Sequence, residues 1–321
     1  GSLGDSMIGL NTYYHAIDLR ATNELNDWED WSRQNETDLK PLWCGPGVWY
    51  NRETNRIHVR LAHTNLPNPT PNYKGETDPR KLPLVLAPFA SVPLTMDDAV
   101  HVRLQDLVFR GAGYTSAFLN HADHVELDNI TIWAGTYGLR ANGTSHLKVI
   151  GSRFHGSVAP WTFRSDTSKR DYPGKPHRNI TRLNTHALIE LESGGESSVY
   201  AFPQNDHWEF TYCEFTEGHD GIYLGAVNVN FHHNRIDNLQ DDGIYLSPMY
   251  YRHRLEKTVP QIHIHENVFT RLLTALAFGG PQPEDADQVY IYRNIFDLRG
   301  EVFTGRPSTK QPEVRTLGGH L

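Results

Sequence analysis

The chain has 321 residues, with 30 Lys plus Arg against 38 Asp plus Glu and a formal charge of −8, which argues against a nucleic-acid partner because such domains carry a basic excess. Seven Trp, 15 Tyr and 13 Phe exclude a disordered chain. The longest apolar stretch, residues 82–94, is broken by Pro83, Pro88 and Pro93, so no membrane helix is expected. Two cysteines, Cys44 and Cys213, are too few for a disulfide framework or a cysteine metal site and read as buried thiols.

Residues 1–90 form an N-terminal, β-rich cap or appendage in this reading. Trp49-Tyr50-Asn51 and Arg56 to Leu61 flank Arg52-Glu53-Thr54-Asn55, the pattern of a β-hairpin. Residues 65–80 contain four prolines and read as loop.

Residues 91–321 are organised differently. An apolar-any-apolar triplet recurs, followed five positions later by a further apolar residue. It reads Val102-Arg103-Leu104 with Phe109, Val125-Glu126-Leu127 with Ile132, and Leu147-Lys148-Val149 with Phe154. It returns as Trp208-Glu209-Phe210 with Phe215, Val229-Asn230-Phe231 with Ile236, Ile262-His263-Ile264 with Phe269, and Val289-Tyr290-Ile291 with Phe296. Successive starts lie 23, 22, 61, 21, 33 and 27 residues apart, a unit of 21 to 23 residues with insertions at 156–205 and 248–260. Period-2 alternation marks strands with one face buried. Units this short cannot bury a core alone and must stack coil on coil. Five positions after the first apolar residue, the last three units carry Asn234, Asn267 and Asn294, which predicts an inward ladder with each amide bonding the next at about 4.8 Å. The arrangement resembles the right-handed parallel β-helix, an all-β single-stranded solenoid.

Two neighbouring units share a string. Glu217-Gly218-His219 precedes Asp220-Gly221-Ile222-Tyr223-Leu224, and Leu239-Gln240-Asp241 precedes Asp242-Gly243-Ile244-Tyr245-Leu246. In-register stacking places Asp220 against Asp242 at about 4.8 Å, with Asp241 aligned with His219. Counting instead from Phe215 and Ile236 pairs Asp220 with Asp241, so one coil holds an extra residue. Carboxylates this close do not all ionise cheaply, the condition for one acid and one base in glycoside cleavage.

These residues resemble the polygalacturonase-type family of β-helical, inverting glycoside hydrolases, with Gly218-His219-Asp220 and Gln240-Asp241-Asp242 as the matching strings. Gly218-His219 stands where that family has Asn-Thr. The resemblance implies a general acid at Asp241, with Asp220 and Asp242 positioning and deprotonating the water. His219, Tyr223 and Tyr245 flank these acids on the same strings and are candidate substrate contacts. Residues 161–182 carry Arg164, Lys169, Arg170, Lys175, Arg178 and Arg182 against Asp166 and Asp171. Trp161 and Arg164 thus offer a stacking face and a cation for a sugar. Residues 248–260 leave the Asp242 strand and bring Tyr250, Tyr251, Arg252, Arg254 and Lys257, a loop suited to substrate binding. Arg271 and Glu301 complete the expected substrate-facing set.

The leading reading is a secreted or cell-surface enzyme that hydrolyses a polysaccharide without a cofactor. Two others use the same residues. In a polysaccharide lyase, Asp220, Asp241 and Asp242 would hold Ca²⁺ against a uronate carboxylate, and Arg252, Arg254, Lys257 or Arg271 would abstract the proton. A non-catalytic carbohydrate-binding or structural solenoid would hold its sugar uncleaved. The sugar, the linkage and the oligomeric state are not encoded in any motif of the chain.

Overall fold

A computed structural model describes residues 2–3, 8–22, 41, 43–65, 72–161, 181–182, 184–191, 205–246, 261–278 and 289–298. Two compact units divide the chain, the first containing Gly1–Leu86 and Ser157–Asn184, the second Ala87–Gly156 and Thr185–Gly300.

In the first unit, Gly47–Asn51 and Arg56–Arg60 form the expected hairpin, its turn closed by Asn55 in the left-handed region (φ 52). Asn11–Tyr13 pairs parallel to the first of these strands and antiparallel to Thr181–Arg182. The core of this unit joins Leu10, Tyr13, Leu19, Trp43, Cys44, Val48, Leu61, Tyr73, Ala159 and Trp161. Trp161 corrects an expectation. Its ring lies edge-on to Tyr73 at 5.3 Å, its indole N–H donates to the Pro46 carbonyl at 3.0 Å, and only 3% of the residue is exposed. A Cβ at Gly45 (φ +98) would stand 2.3 Å from Trp161 Cδ1, so the backbone there closes onto the indole. Both ring faces are committed to the core, and Trp161 offers none to a sugar.

The second unit is an all-β parallel solenoid. Each full coil contributes one strand to each of three seven-stranded parallel sheets among the described residues. The first sheet holds Leu94–Asp97, Thr115–Asn120, Tyr137–Asn142, Ala187–Leu191, Asp220–Leu224, Asp242–Leu246 and Thr274–Phe278. The second runs from Val100–Gln105 to Val289–Tyr292, and the third from Val108–Phe109 to Ile295–Asp297. The apolar triplets occupy the second sheet, in register as Val102↔Val125↔Leu147↔Trp208↔Val229↔Ile262↔Val289. The markers five positions on occupy the third, from Phe109↔Ile132 to Phe269↔Phe296. Inside, Phe154 stacks on Phe215 at 5.0 Å, and Phe215 touches Phe210 and Phe231. Interleaved aromatic layers of this kind replace the single hydrophobic centre of a globular domain.

The turn between the second and third sheets repeats. Asp106, Asn129, Gly151, Tyr212, His233, Glu266 and Arg293 all take a left-handed φ of 50 to 57, each directly before the inward position of the ladder. The ladder exists but with different bonding from that expected. Asn234 Oδ1 accepts from Cys213 N–H at 2.8 Å, Asn267 Oδ1 from Asn234 N–H at 2.9 Å, and Asn294 Oδ1 from Asn267 N–H at 3.0 Å. The amide nitrogens donate to the carbonyls of Phe210, Phe231 and Ile264. Side chains thus satisfy buried backbone groups that the turn leaves without a sheet partner. Amide-to-amide bonding occurs once in this run, from Asn267 Nδ2 to Asn294 Oδ1. Both cysteines are buried. Burial pushes the Cys213 thiol up to about 12, so it should stay inert to thiol reagents at pH 8 until urea unfolds the coils.

Candidate functional site

The site grows from the first sheet. Ile222↔Ile244, Tyr223↔Tyr245 and Leu224↔Leu246 are paired, so the repeated strings align as their sequence predicts. The third sheet pairs Phe215↔Ile236, an offset of 21 rather than 22, which identifies where the extra residue lies. Gln240 N–H and Asp241 N–H donate to the carbonyls of Gly218 and His219, in the same step as Arg235 N–H to the Cys213 carbonyl, so the offset of 21 runs on through Asp241 and the extra residue falls between Asp241 and Ile244. Leu239 is fully buried under Gly221, where a Cβ would stand 2.9 Å from its Cδ1 and 2.3 Å from the Gly243 carbonyl oxygen. Asp241 thus stands at the strand's entry, paired by its backbone with the Asp220 coil, and Asp242, the first strand residue, turns its N–H to the Asp220 carboxylate.

Asp220 is the best-held of the three acids. Only 3% of it is exposed. The Tyr223 phenol donates to its Oδ2 at 2.8 Å, the Asp242 backbone N–H donates to its Oδ1 at 3.3 Å, and His186 Nδ1 lies 3.4 Å from Oδ2. Asp241 keeps partial exposure, with its Oδ2 3.8 Å from Nε2 of buried His219. The other ring nitrogen, Nδ1, lies 3.2 Å from Gln240 Oε1, and the Gln oxygen can only accept, so Nδ1 carries the proton in this arrangement. Asp242 is also half-buried. Tyr223 stacks beside Tyr245 at 5.0 Å and meets His186 edge-on at 5.3 Å. Burial first, and the Asp220 charge second, push the Tyr223 phenol far above its usual range, so it stays a proton donor throughout the working pH range.

Two further participants come from the coil before Asp220, of which sequence reasoning missed His186. His186 stands directly before Ala187–Leu191, which pairs between Tyr137–Asn142 and Asp220–Leu224. Glu190, which by sequence fits a rim acid or plain surface, lies in the column Arg140↔Glu190↔Tyr223↔Tyr245, 3.7 Å from the Arg140 guanidinium. The signal was present: Ala-Leu-Ile-Glu-Leu matches the apolar positions of Asp-Gly-Ile-Tyr-Leu, and the long insertions on either side hid it.

Arg271 does not face the aspartates. Its guanidinium Nε and Nη2 close on both oxygens of Asp237, Thr270 Oγ1 adds a third bond, and Arg235 a fourth. Burial pushes the Asp237 carboxyl up, but these bonds outweigh it and hold the carboxyl below its ordinary value. Glu217 nearby is pushed up, mainly by burial, with Arg271 opposing. Because the folded value of Asp237 is depressed, its stabilisation is complete above the ordinary carboxylate range and fades as pH falls through the folded value. Arg271→Gln should therefore lower the melting temperature at pH 7, by about 1–3 kcal/mol of stability, and the wild-type advantage should shrink in melts toward pH 3. Arg164, Tyr250, Tyr251, Arg252, Arg254, Lys257 and Glu301 lie outside the described residues.

Donor atoms of His219, Asp220 and Asp241 all lie within 4.8 Å of one another. An imidazole with two carboxylates suits borderline transition ions better than Ca²⁺, which takes oxygen ligands. Among the described residues, no helix is long and apolar enough to cross a membrane.

Three parallel sheets wound coil on coil, with a cluster of acids at the entry to two strands of the first, define a β-solenoid with a partly buried polar site. A family model for the right-handed β-helix region matches residues 94–271, more than half of the chain, and the protein belongs to that family. No curated protein matches the chain. Among solved structures, an alginate lyase from Paenibacillus sp. str. FPU-7 shows a likeness at 11% identity, over 60% of this chain and 77% of that one, with a TM-score of 0.24; a likeness this slight has no bearing on activity.

Proposed function

We propose that this protein is a carbohydrate-active enzyme, exported to the cell surface or beyond, that hydrolyses glycosidic bonds of a polysaccharide. The observation that carries the reading is the meeting of Asp220, Asp241 and Asp242 on two adjacent coils, one buried and bonded, two partly exposed. Burying a carboxylate costs several kcal/mol unless it is bonded, and the Tyr223 phenol and the Asp242 N–H supply those bonds to Asp220 while Asp241 and Asp242 keep access to solvent. In this mechanism Asp220 is the anchor, its oxygens engaged by Tyr223 and the Asp242 backbone. Asp241, beside His219 Nε2, gives the proton to the leaving oxygen. Asp242 takes the proton from the attacking water, and Tyr223 and Tyr245 provide the sugar-facing wall.

A polysaccharide panel with neutral and uronate members tests it, read for reducing ends and for absorbance of unsaturated products, with and without chelator. New reducing ends without absorbance support hydrolysis. Absorbance that disappears with chelator would make the enzyme a lyase, and binding without cleavage a non-catalytic solenoid.

Tyr223→Phe keeps the ring but removes the bond to Asp220. The expected result is about a tenfold or greater loss in kcat and a stability loss of about 1–2 kcal/mol. The pH profile should keep both of its limbs, because the phenol does not titrate within it. A profile that loses its alkaline limb would assign Tyr223 a titrating role instead.

A further inference from the structure

The second sheet carries a column of histidines that the chemistry above does not use. His101, His124, His146 and His207 hold the same position on four successive coils, since the residues before them pair as Val100↔Asp123↔Ser145↔Asp206. Their rings follow one another at 4.8, 4.3 and 4.9 Å. All four take a left-handed φ between 48 and 57, and Asn228 takes it on the next coil. That conformation costs a non-glycine residue about 1–2 kcal/mol, so it is imposed by the coil and holds each ring base in a fixed direction.

Asp123 sits between two of these rings. Its Oδ2 is 2.9 Å from His124 Nδ1 and its Oδ1 is 2.8 Å from His146 Nδ1, with Ser145 Oγ donating to Oδ1 at 2.9 Å. We propose that Asp123, His124 and His146 form a surface site for a divalent transition-metal ion of the Zn²⁺, Cu²⁺ or Ni²⁺ class. One donor atom from each of the three residues lies within 4.8 Å of the other two. Two ligands bound at about 2.1 Å at the tetrahedral angle of Zn²⁺ stand about 3.4 Å apart, so the contacts of 2.9 and 2.8 Å between the carboxylate and the imidazoles open by about half an ångström to admit the ion. Binding requires that each Nδ1 give up its proton to present a lone pair to the ion. Two imidazoles and one carboxylate form a borderline donor set, which favours transition ions over Ca²⁺ or Mg²⁺. The side chains of Asp123, His124 and His146 are 37%, 48% and 46% exposed, so the ion can enter from solvent and complete its shell with water. The ligands stand on neighbouring strands of a paired sheet, which sets their separation before the ion arrives.

The test is a Zn²⁺ titration by calorimetry, with Co²⁺ and visible absorption as a second probe, on the chelator-stripped full chain at pH 7.5. The wild type should bind one more equivalent than the His124→Gln/His146→Gln double variant, and Asp123→Asn should weaken that equivalent at least tenfold. His207→Gln and Asp241→Asn should leave it unchanged. Circular dichroism checks that each variant is folded, which these exposed positions favour. Equal binding by the wild type and the double variant, loss of the equivalent in Asp241→Asn alone, or no heat at Zn²⁺ concentrations of about 100 µM would each overturn the proposal.

Discussion

Asp241→Asn is expected to lower kcat on a polysaccharide about a thousandfold, within the range that a positioned general acid contributes, with KM and the melting temperature nearly unchanged. The side chain is partly exposed, and its position at the strand entry is held by backbone bonds, from its own N–H to the His219 carbonyl and from Thr274 N–H to its own carbonyl, so the amide changes chemistry rather than fold. Asp242→Asn should cost a similar factor and also preserve structure, because the bond to Asp220 uses the Asp242 backbone N–H. The two roles separate by leaving group. An aryl glycoside whose phenol departs without protonation should restore much of the rate to Asp241→Asn and none to Asp242→Asn. Full activity in both variants would remove the proposed mechanism. The same recovery in both would reverse or merge the roles assigned to them.

Asn267→Ala is expected to give the largest stability loss of any single polar substitution in the ladder, about 2–4 kcal/mol. Asn267 is 1% exposed. Its Oδ1 receives Asn234 N–H, its Nδ2 donates to the Phe231 carbonyl and to Asn294 Oδ1. Truncation strands a buried N–H and a carbonyl of the preceding coil, at Asn234 and Phe231, each worth about 1–3 kcal/mol when left without a partner. Asn267→Leu should be no milder, because it fills the space without supplying either bond. Urea melts followed by circular dichroism decide the matter. A loss under 1 kcal/mol for both variants would mean that the turn reorganises or admits water, and that the ladder is not what closes it.

Much of this architecture was legible because a solenoid repeats locally. The marker triplets and the residues five positions on are spaced within one coil, so their periodicity exposes the second and third sheets and the ladder positions without any knowledge of distant contacts. The first sheet was readable only where two copies of one string sit side by side, around Asp220 and Asp242. Elsewhere its strands do not repeat that string, although Leu94–Asp97, Thr115–Asn120 and Tyr137–Asn142 follow one another without insertion, and Ala187–Leu191 keeps only the apolar positions. Ala187–Leu191 is the clearest case, as its place beside Asp220–Leu224 depends on pairing across an offset of 33 residues, and with it come His186 and Glu190.

The amino-acid sequence by itself determined the coil length, the strand periodicity, the inward asparagines and the alignment of the two Asp-Gly-Ile-Tyr-Leu strings, all consequences of side-chain alternation within about twenty residues. Tertiary structure alone decided which partners those side chains meet. It turned the amide ladder toward backbone groups, took Trp161 into the core of the N-terminal unit, bound Arg271 to Asp237, and set Asp123 between two imidazoles. The reason is physical: alternation along a strand depends on the covalent chain, whereas contact between coils depends on where each insertion returns the chain, and that is settled by burial and hydrogen bonding across the whole fold.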